Sequence, residues 1–194
     1  FILTMVSFFL GVITAIFRGI FFISISNPAE LQDVGIKEKI VGVLSHCENP
    51  DDLFTGDDGL KQSVETSILN IETMISKSQE VKKLPEGKKI LITSPTPGNG
   101  KSFFSRALSE GLTQIGHKVL LIDADLKRGI QHKIYNKESI EIKSFQDISL
   151  EKIDEYKIKD NFYLIPKIKK IKNTFELLYS DSFLVKINEF QTFF

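Results

Sequence analysis

Between two apolar stretches the chain reads Ser94-Pro95-Thr96-Pro97-Gly98-Asn99-Gly100-Lys101-Ser102, and this stretch decides the fold. Lys89-Ile90-Leu91-Ile92-Thr93, just before it, is a short apolar run of the kind that forms a buried parallel strand. After it, Phe103, Phe104, Ala107, Leu108, Leu112 and Ile115 fall on one face of an amphipathic helix. Strand, glycine loop, Lys-Ser and helix in that order is the context in which a loop binds phosphate.

The chemistry explains the residue types. Glycines let backbone N–H groups approach phosphate oxygens with no Cβ in the way. A helix starting near Gly100 adds the positive end of its dipole. Lys101 is a point charge for the β- and γ-phosphates of a nucleotide, and Ser102 offers a hydroxyl to Mg²⁺. The strict pattern G-x-x-x-x-G-K-[ST] is not met, because Pro95 stands where the first glycine belongs.

A second apolar run, Lys118-Val119-Leu120-Leu121-Ile122, ends in Asp123-Ala124-Asp125-Leu126-Lys127-Arg128-Gly129. Ligands of open parallel sheets bind beyond the carboxyl ends of the strands. Asp123 and Asp125 are therefore expected to face the phosphates, on one side if strand alternation continues through them. Two carboxylates there can hold Mg²⁺ and orient or deprotonate an attacking hydroxyl.

At the N-terminus, Phe1 to Phe17 is apolar apart from Thr4, Ser7 and Thr14, and Arg18 precedes a further apolar stretch to Ile23. That is close to the ~20 residues that cross a bilayer. The positive charge comes after the apolar run, the reverse of a signal peptide, and would mark the cytoplasmic end. Beyond it, Asn27-Pro28-Ala29-Glu30 reads as a helix start and Gly35 as its stop. Ile36–Leu44 reads as a strand, His46–Leu60 as a loop, and Gln62–Ile75 as a helix with Val64, Ile68, Ile71 and Ile75 on its apolar face. His46-Cys47 has no further ligands nearby and reads as ordinary surface.

Composition narrows the classes. Of 194 residues, 42% are hydrophobic and 26% charged, which predicts a packed core. The 25 basic and 25 acidic side chains balance, without the basic excess of a nucleic-acid binder. A single cysteine excludes an internal disulfide framework and a cysteine-based zinc site.

The two motifs resemble the Walker A and Walker A′ motifs of the bacterial tyrosine kinases of capsule and exopolysaccharide systems. Ser94, Pro97, Gly98, Gly100, Lys101 and Ser102 match that family's loop, S-x-x-P-G-x-G-K-[ST], so Pro95 is a family trait. Leu121, Ile122, Asp123, Asp125 and Leu126 match the second motif, with Lys127 in place of its arginine. Arg128, Gly129 and His132 are similar too. The stretch Asn27–Gly35 resembles the segment just after the second transmembrane helix of the fused co-polymerase kinases. Phe162-Tyr163-Leu164-Ile165-Pro166 resembles a family strand, and Asn173–Leu178 a family helix start, continuing to Gln191.

The resemblance implies an α/β, three-layer P-loop domain with an incomplete parallel sheet, preceded by a transmembrane helix. The expected organisation is a transmembrane helix over 1–25, a juxtamembrane segment and linker over 26–82, and a kinase domain over 83–194. The implied activity is ATP-dependent protein tyrosine phosphorylation at the bacterial inner membrane, on its cytoplasmic side. Self-association and the polysaccharide-export machinery are implied partners, with ATP and Mg²⁺ bound. Lys101, Asp123 and Asp125 would be catalytic, and Ser102 and Asp123 would bind the metal. Pro97, Gly98, Asn99, Gly100, Lys101, Ser102 and Phe103 would contact the nucleotide. The family's Walker B strand and tyrosine-rich tail have no counterpart before Phe194, and around Glu65 no arginine appears as the family's assembly helix, Glu-x-x-Arg-x-x-Arg, requires. With Phe1 at the start, the chain is expected to be an internal piece of a longer kinase or a truncated gene product. The missing motif leaves a second reading, a catalytically impaired chain-length regulator. MinD/ParA-type ATPases share the fold, but Thr96 stands where they carry a lysine and Pro97 where they carry a glycine.

Overall fold

The computed structural model describes residues 2–21, 30–31, 35, 38–44, 58–82, 87–126, 128–137, 142, 144–167 and 177–194. Two compact units emerge, Phe1–Val43 and Leu44–Phe194.

The first unit is dominated by helix α1, Ile2–Phe21. Its apolar side chains are exposed all round; over Ile2–Gly19 the mean hydropathy is 1.9 and none of the window is buried. The few hydroxyls turn inward on the helix itself: Ser7 Oγ donates to the Thr4 carbonyl (3.0 Å) and Thr14 Oγ1 to that of Leu10 (2.6 Å). Such back-bonding satisfies a hydroxyl where no water is at hand. The helix is thus long and apolar enough to cross a membrane. Glu30 and Leu31 are helical and Gly35 has φ 89°, whereas Asn27, Pro28 and Ala29 lie outside the described residues. The strand expected over Ile36–Leu44 does not form among the described residues 38–44.

The second unit is built on strands β1 (Val119–Ile122), β2 (Lys157–Lys159) and β3 (Phe162–Ile165), in the order β1-β3-β2. β1 and β3 run parallel, Val119 opposite Phe162 and Ile122 opposite Ile165. β2 returns antiparallel to β3 through a turn at Asp160-Asn161, where Asn161 takes φ 60°. Among the described residues the sheet therefore holds the expected parallel pair, β1 and β3, with β2 added antiparallel at the edge.

Alternation divides the sheet's two faces. Leu121, Phe162 and Leu164 pack with Val119, Tyr135 and Ile158 on one side. Tyr163 and Ile165, joined by Leu120 and Ile122, pack on the other against Phe145, Ile148, Ile153, Tyr156 and Phe190. Those last residues come from two 3₁₀ turns, Phe145–Asp147 and Leu150–Tyr156, from Ile148 between them, and from a C-terminal helix, Asp181–Gln191. Helix α2 (Asp58–Lys82) lies against helix α3 (Lys101–Gln114) and buries Leu60, Val64 and Ile68 on Ala107, Leu108 and Leu112. The backbones come close because Gly111 carries no side chain: a Cβ there would stand 2.1 Å from Ile68 Cδ1. Helix α4 is a single turn, Gln131–Ile134, and the C-terminal helix is α5. α2 begins at Asp58, inside the stretch expected to be loop; His46 and Cys47 lie outside the described residues. Ser180 interrupts the long C-terminal helix, its Oγ accepting from the Phe183 N–H (3.2 Å) and capping α5; Asn173–Glu176 lie outside the described residues.

A further expectation is overturned. Lys89–Thr93 is not a strand, and Leu91 is 86% exposed. A strand exists only with a neighbour, and among the described residues β1 pairs with β3 alone. The segment rests instead on α5: Gln191 Nε2 donates to the Gly87 carbonyl (2.7 Å) and Lys89 Nζ to Asn188 Oδ1 (2.8 Å). Only Ile92 reaches a core, the one between α2 and α3.

Candidate functional site

The loop is exposed from Pro95 to Gly100, with Gly98 at φ 83° and Gly100 at φ 75°, a conformation that side chains disfavour. Nothing lies within 4 Å of where a Cβ would be at either glycine, so the space in front of the loop is open. Gly100 is also the N-cap of α3, and no side chain caps that end. The amides of the first turn have no intrahelical acceptor and no acidic residue beside them. Positive potential therefore collects at the loop.

Lys101 lies back across this opening. Its Nζ donates to Ser94 Oγ (2.7 Å) and to the Thr96 carbonyl (3.3 Å), while Ser94 Oγ donates to the same carbonyl (2.8 Å). These neutral acceptors are exchangeable for an anion, which would bind the ammonium more strongly. Phe103 does not line the loop with its ring, which packs with Phe104 against the α2–α3 core.

The acidic turn departs from the expected alternation. β1 ends at Ile122, and a turn takes over in which the Ala124 N–H bonds to the Ile122 carbonyl and the Gly129 N–H to that of Asp125. The two carboxylates consequently part. Asp125 is exposed and its Oδ1 accepts from the Arg128 N–H (2.8 Å), closing the turn. Asp123 is buried; Oδ1 accepts from the Asp125 N–H (3.3 Å) and Oδ2 from the Gln131 N–H (3.2 Å). Burial raises its pKa above the ordinary carboxylate value, and those two N–H bonds only partly offset this.

Gln131, at the start of α4, joins the two halves. Besides its N–H bond to Asp123, its Nε2 donates to the Ser102 carbonyl (2.8 Å) and to Ser105 Oγ (3.4 Å). The acidic turn and the first turn of α3 are thereby bound to a single residue, the one by its backbone N–H and the other by its side chain. Farther along α3, Glu110 accepts from the Tyr135 hydroxyl and from Lys159 Nζ (3.4 Å), fixing the helix to the sheet. No motif singled out Gln131 or Glu110; their roles depend on where the turn after β1 folds back.

The residues present suit a triphosphate and a divalent cation. The loop offers open, positive space, and Asp123 is a buried carboxylate with no ion pair among the described residues. Ser102 stands one hydrogen-bonding residue away. A hydroxyl and a carboxylate are oxygen donors of the kind Mg²⁺ takes, with waters completing its shell. Among the described residues no group of three or more His, Cys, Asp or Glu side chains that could hold a metal ion occurs.

No protein-family model matches the chain. In sequence it is 38% identical over 98 residues to the tyrosine-protein kinase ptk of Acinetobacter johnsonii, covering 48% of this chain and 13% of that protein. It is 33% identical over 99 residues to the tyrosine-protein kinase etk of Escherichia coli, covering 50% of this chain and 14% of that one. A protein of Klebsiella pneumoniae that bears the name of a tyrosine-protein kinase in the cps region is 34% identical over 95 residues, 48% of this chain and 11% of the relative. The chain thus spans little more than a tenth of the length of the curated relatives it matches. In structure it resembles the kinase domain of the E. coli tyrosine kinase ETK, with a TM-score of 0.68 at 21% identity over 87% of this chain and 69% of that one. The BceF tyrosine kinase domain gives 0.65 at 20% identity, over 85% and 71%. The chain has the fold of these kinase domains, and its curated homologues are tyrosine-protein kinases.

Proposed function

We propose that the chain is the nucleotide-binding part of a membrane-anchored protein tyrosine kinase of a capsule or exopolysaccharide system. The observation that supports this reading is the bridge through Gln131, whose N–H bonds the Asp123 carboxylate while its Nε2 bonds the Ser102 carbonyl just after the glycine loop. The kinase homologues supply the reaction class.

Each residue then has a task. The first-turn amides of α3 and the loop from Pro97 to Gly100 receive the phosphates, with Lys101 leaving Ser94 to pair with the β- and γ-phosphates. Ser102 and Asp123 would hold Mg²⁺, which draws charge off the phosphates when bound. A tyrosine hydroxyl attacks the γ-phosphorus, the bond to the β–γ bridging oxygen breaks, and ADP leaves. Asp125, exposed at the mouth of the site, orients that hydroxyl and takes its proton. Helix α1 anchors the chain in the inner membrane with the site on the cytoplasmic side, and self-association and the export machinery are its expected partners.

Phosphate transfer tests this. The full chain, incubated with Mg²⁺ and γ-labelled ATP, should place label on tyrosine, and Lys101→Met should abolish it. ATP binding without transfer would favour the regulator reading. A chain that binds no ATP would remove the kinase reading and leave the regulator.

A further inference from the structure

We propose that Gln131 is a positioning residue: it holds the Asp123 carboxylate at a set separation from Ser102, so that both reach one divalent cation. The proposal rests on the nucleotide reading above. Gln131 is 3% exposed, and its N–H and its side-chain amide are committed in opposite directions, to Asp123 Oδ2 and to the Ser102 carbonyl. No other described residue is seen to bond to both the carboxylate and the first turn of α3.

The amide's orientation is set by its neighbours. Turning it over would place Oε1 against the Ser102 carbonyl, acceptor against acceptor. With Nε2 so committed, Oε1 is buried and meets no donor among the described residues. A buried oxygen in that condition marks a place where water or a ligand supplies the donor. Bound Mg²⁺ keeps several waters, and one of them would be the donor that Oε1 lacks. Gln131 thus acts through Asp123 and Ser102, as the outer partners of metal ligands do.

The rival is a plain structural staple, and metal dependence separates the two. ATP affinity of the full chain is measured with Mg²⁺ and with EDTA, and Mn²⁺ binding is monitored by electron paramagnetic resonance. Gln131→Met should leave the EDTA affinity within about twofold and cut the Mg²⁺ enhancement, with Mn²⁺ affinity, by about 10- to 100-fold. Gln131→Asn keeps the amide but is one methylene short of the Ser102 carbonyl; it should show the same selective loss, and it serves if circular dichroism finds the Met variant unfolded. Equal losses with and without metal, or an enhancement that survives in a folded variant, would overturn the proposal. A wild-type chain that binds no ATP in either condition would instead sink the nucleotide reading, a result distinguishable at once from the others.

Discussion

The carboxylate of Asp123 occupies the space that a side chain on Gly129 would need: a Cβ built there stands 2.6 Å from Oδ2 and 2.8 Å from the Asp125 carbonyl oxygen. The acidic turn is folded this tightly over the carboxylate because two N–H groups hold it from the other side. Neither neighbour can yield cheaply, since one is backbone and the other is pinned.

Gly129→Ala should therefore destabilise the second unit by about 1–3 kcal/mol, the usual cost of overpacking. It should also weaken Mg²⁺-dependent ATP binding by displacing Asp123. Urea denaturation and nucleotide titration of the variant check the two effects; an alanine accepted without loss of either would mean that the turn is loose.

The contact between α2 and α3 makes a prediction of changing sign. Ile68→Ala removes a side chain that is 4% exposed and should cost about 2–5 kcal/mol. Gly111→Ala alone should be destabilising, because its Cβ meets Ile68 Cδ1 at 2.1 Å. In the Ile68→Ala background that collision is gone, and the alanine should now stabilise the helix by about 0.5–1 kcal/mol. A double-mutant cycle measures the reversal, and simple additivity would contradict the packing described.

Alkaline pH offers a third check. Burial, and then the Glu110 carboxylate, hold the Tyr135 phenol far above its ordinary value, and burial raises that of Tyr156. A raised folded pKa contributes stability that is whole below the unfolded value, about 10, and is lost as pH rises through the folded one. Phenolate absorbance should thus show a late phase that coincides with unfolding above pH ~10. Tyr135→Phe should remove one tyrosine from that phase. Ionisation of Tyr135 in the folded protein near the ordinary value would refute its burial against Glu110.

Helix α1 predicts the chain's location. The full chain should stay with membranes through alkaline carbonate extraction, and removal of residues 1–25 should release it. Full-length chain recovered in the soluble fraction would contradict the anchoring reading.

Much of this was legible in the sequence because it is written locally. β1 and α3 follow from an apolar run and a 3.6-residue period, β3 from its resemblance to a family strand, and the loop from its Gly-Asn-Gly-Lys-Ser. Lys89–Thr93 has the same apolar character, but a strand depends on a neighbour that no local pattern reports. Asp123 and Asp125 are two residues apart in a pattern that suggests a shared side, yet the turn after Ile122 buries one and exposes the other. Gln131 carried no signal, since its importance lies in reaching Ser102, 29 residues back along the chain.

Isothermal titration of Mg·ATP into the full chain and into Lys101→Met bears most directly on the central claim, that the loop before α3 and the turn after β1 form one phosphate site. The wild-type chain should bind one equivalent, more tightly with Mg²⁺ than without. Lys101→Met should lose about tenfold or more, as removal of a desolvated charged partner does. Equal heats and equal affinity in the two proteins would contradict the account.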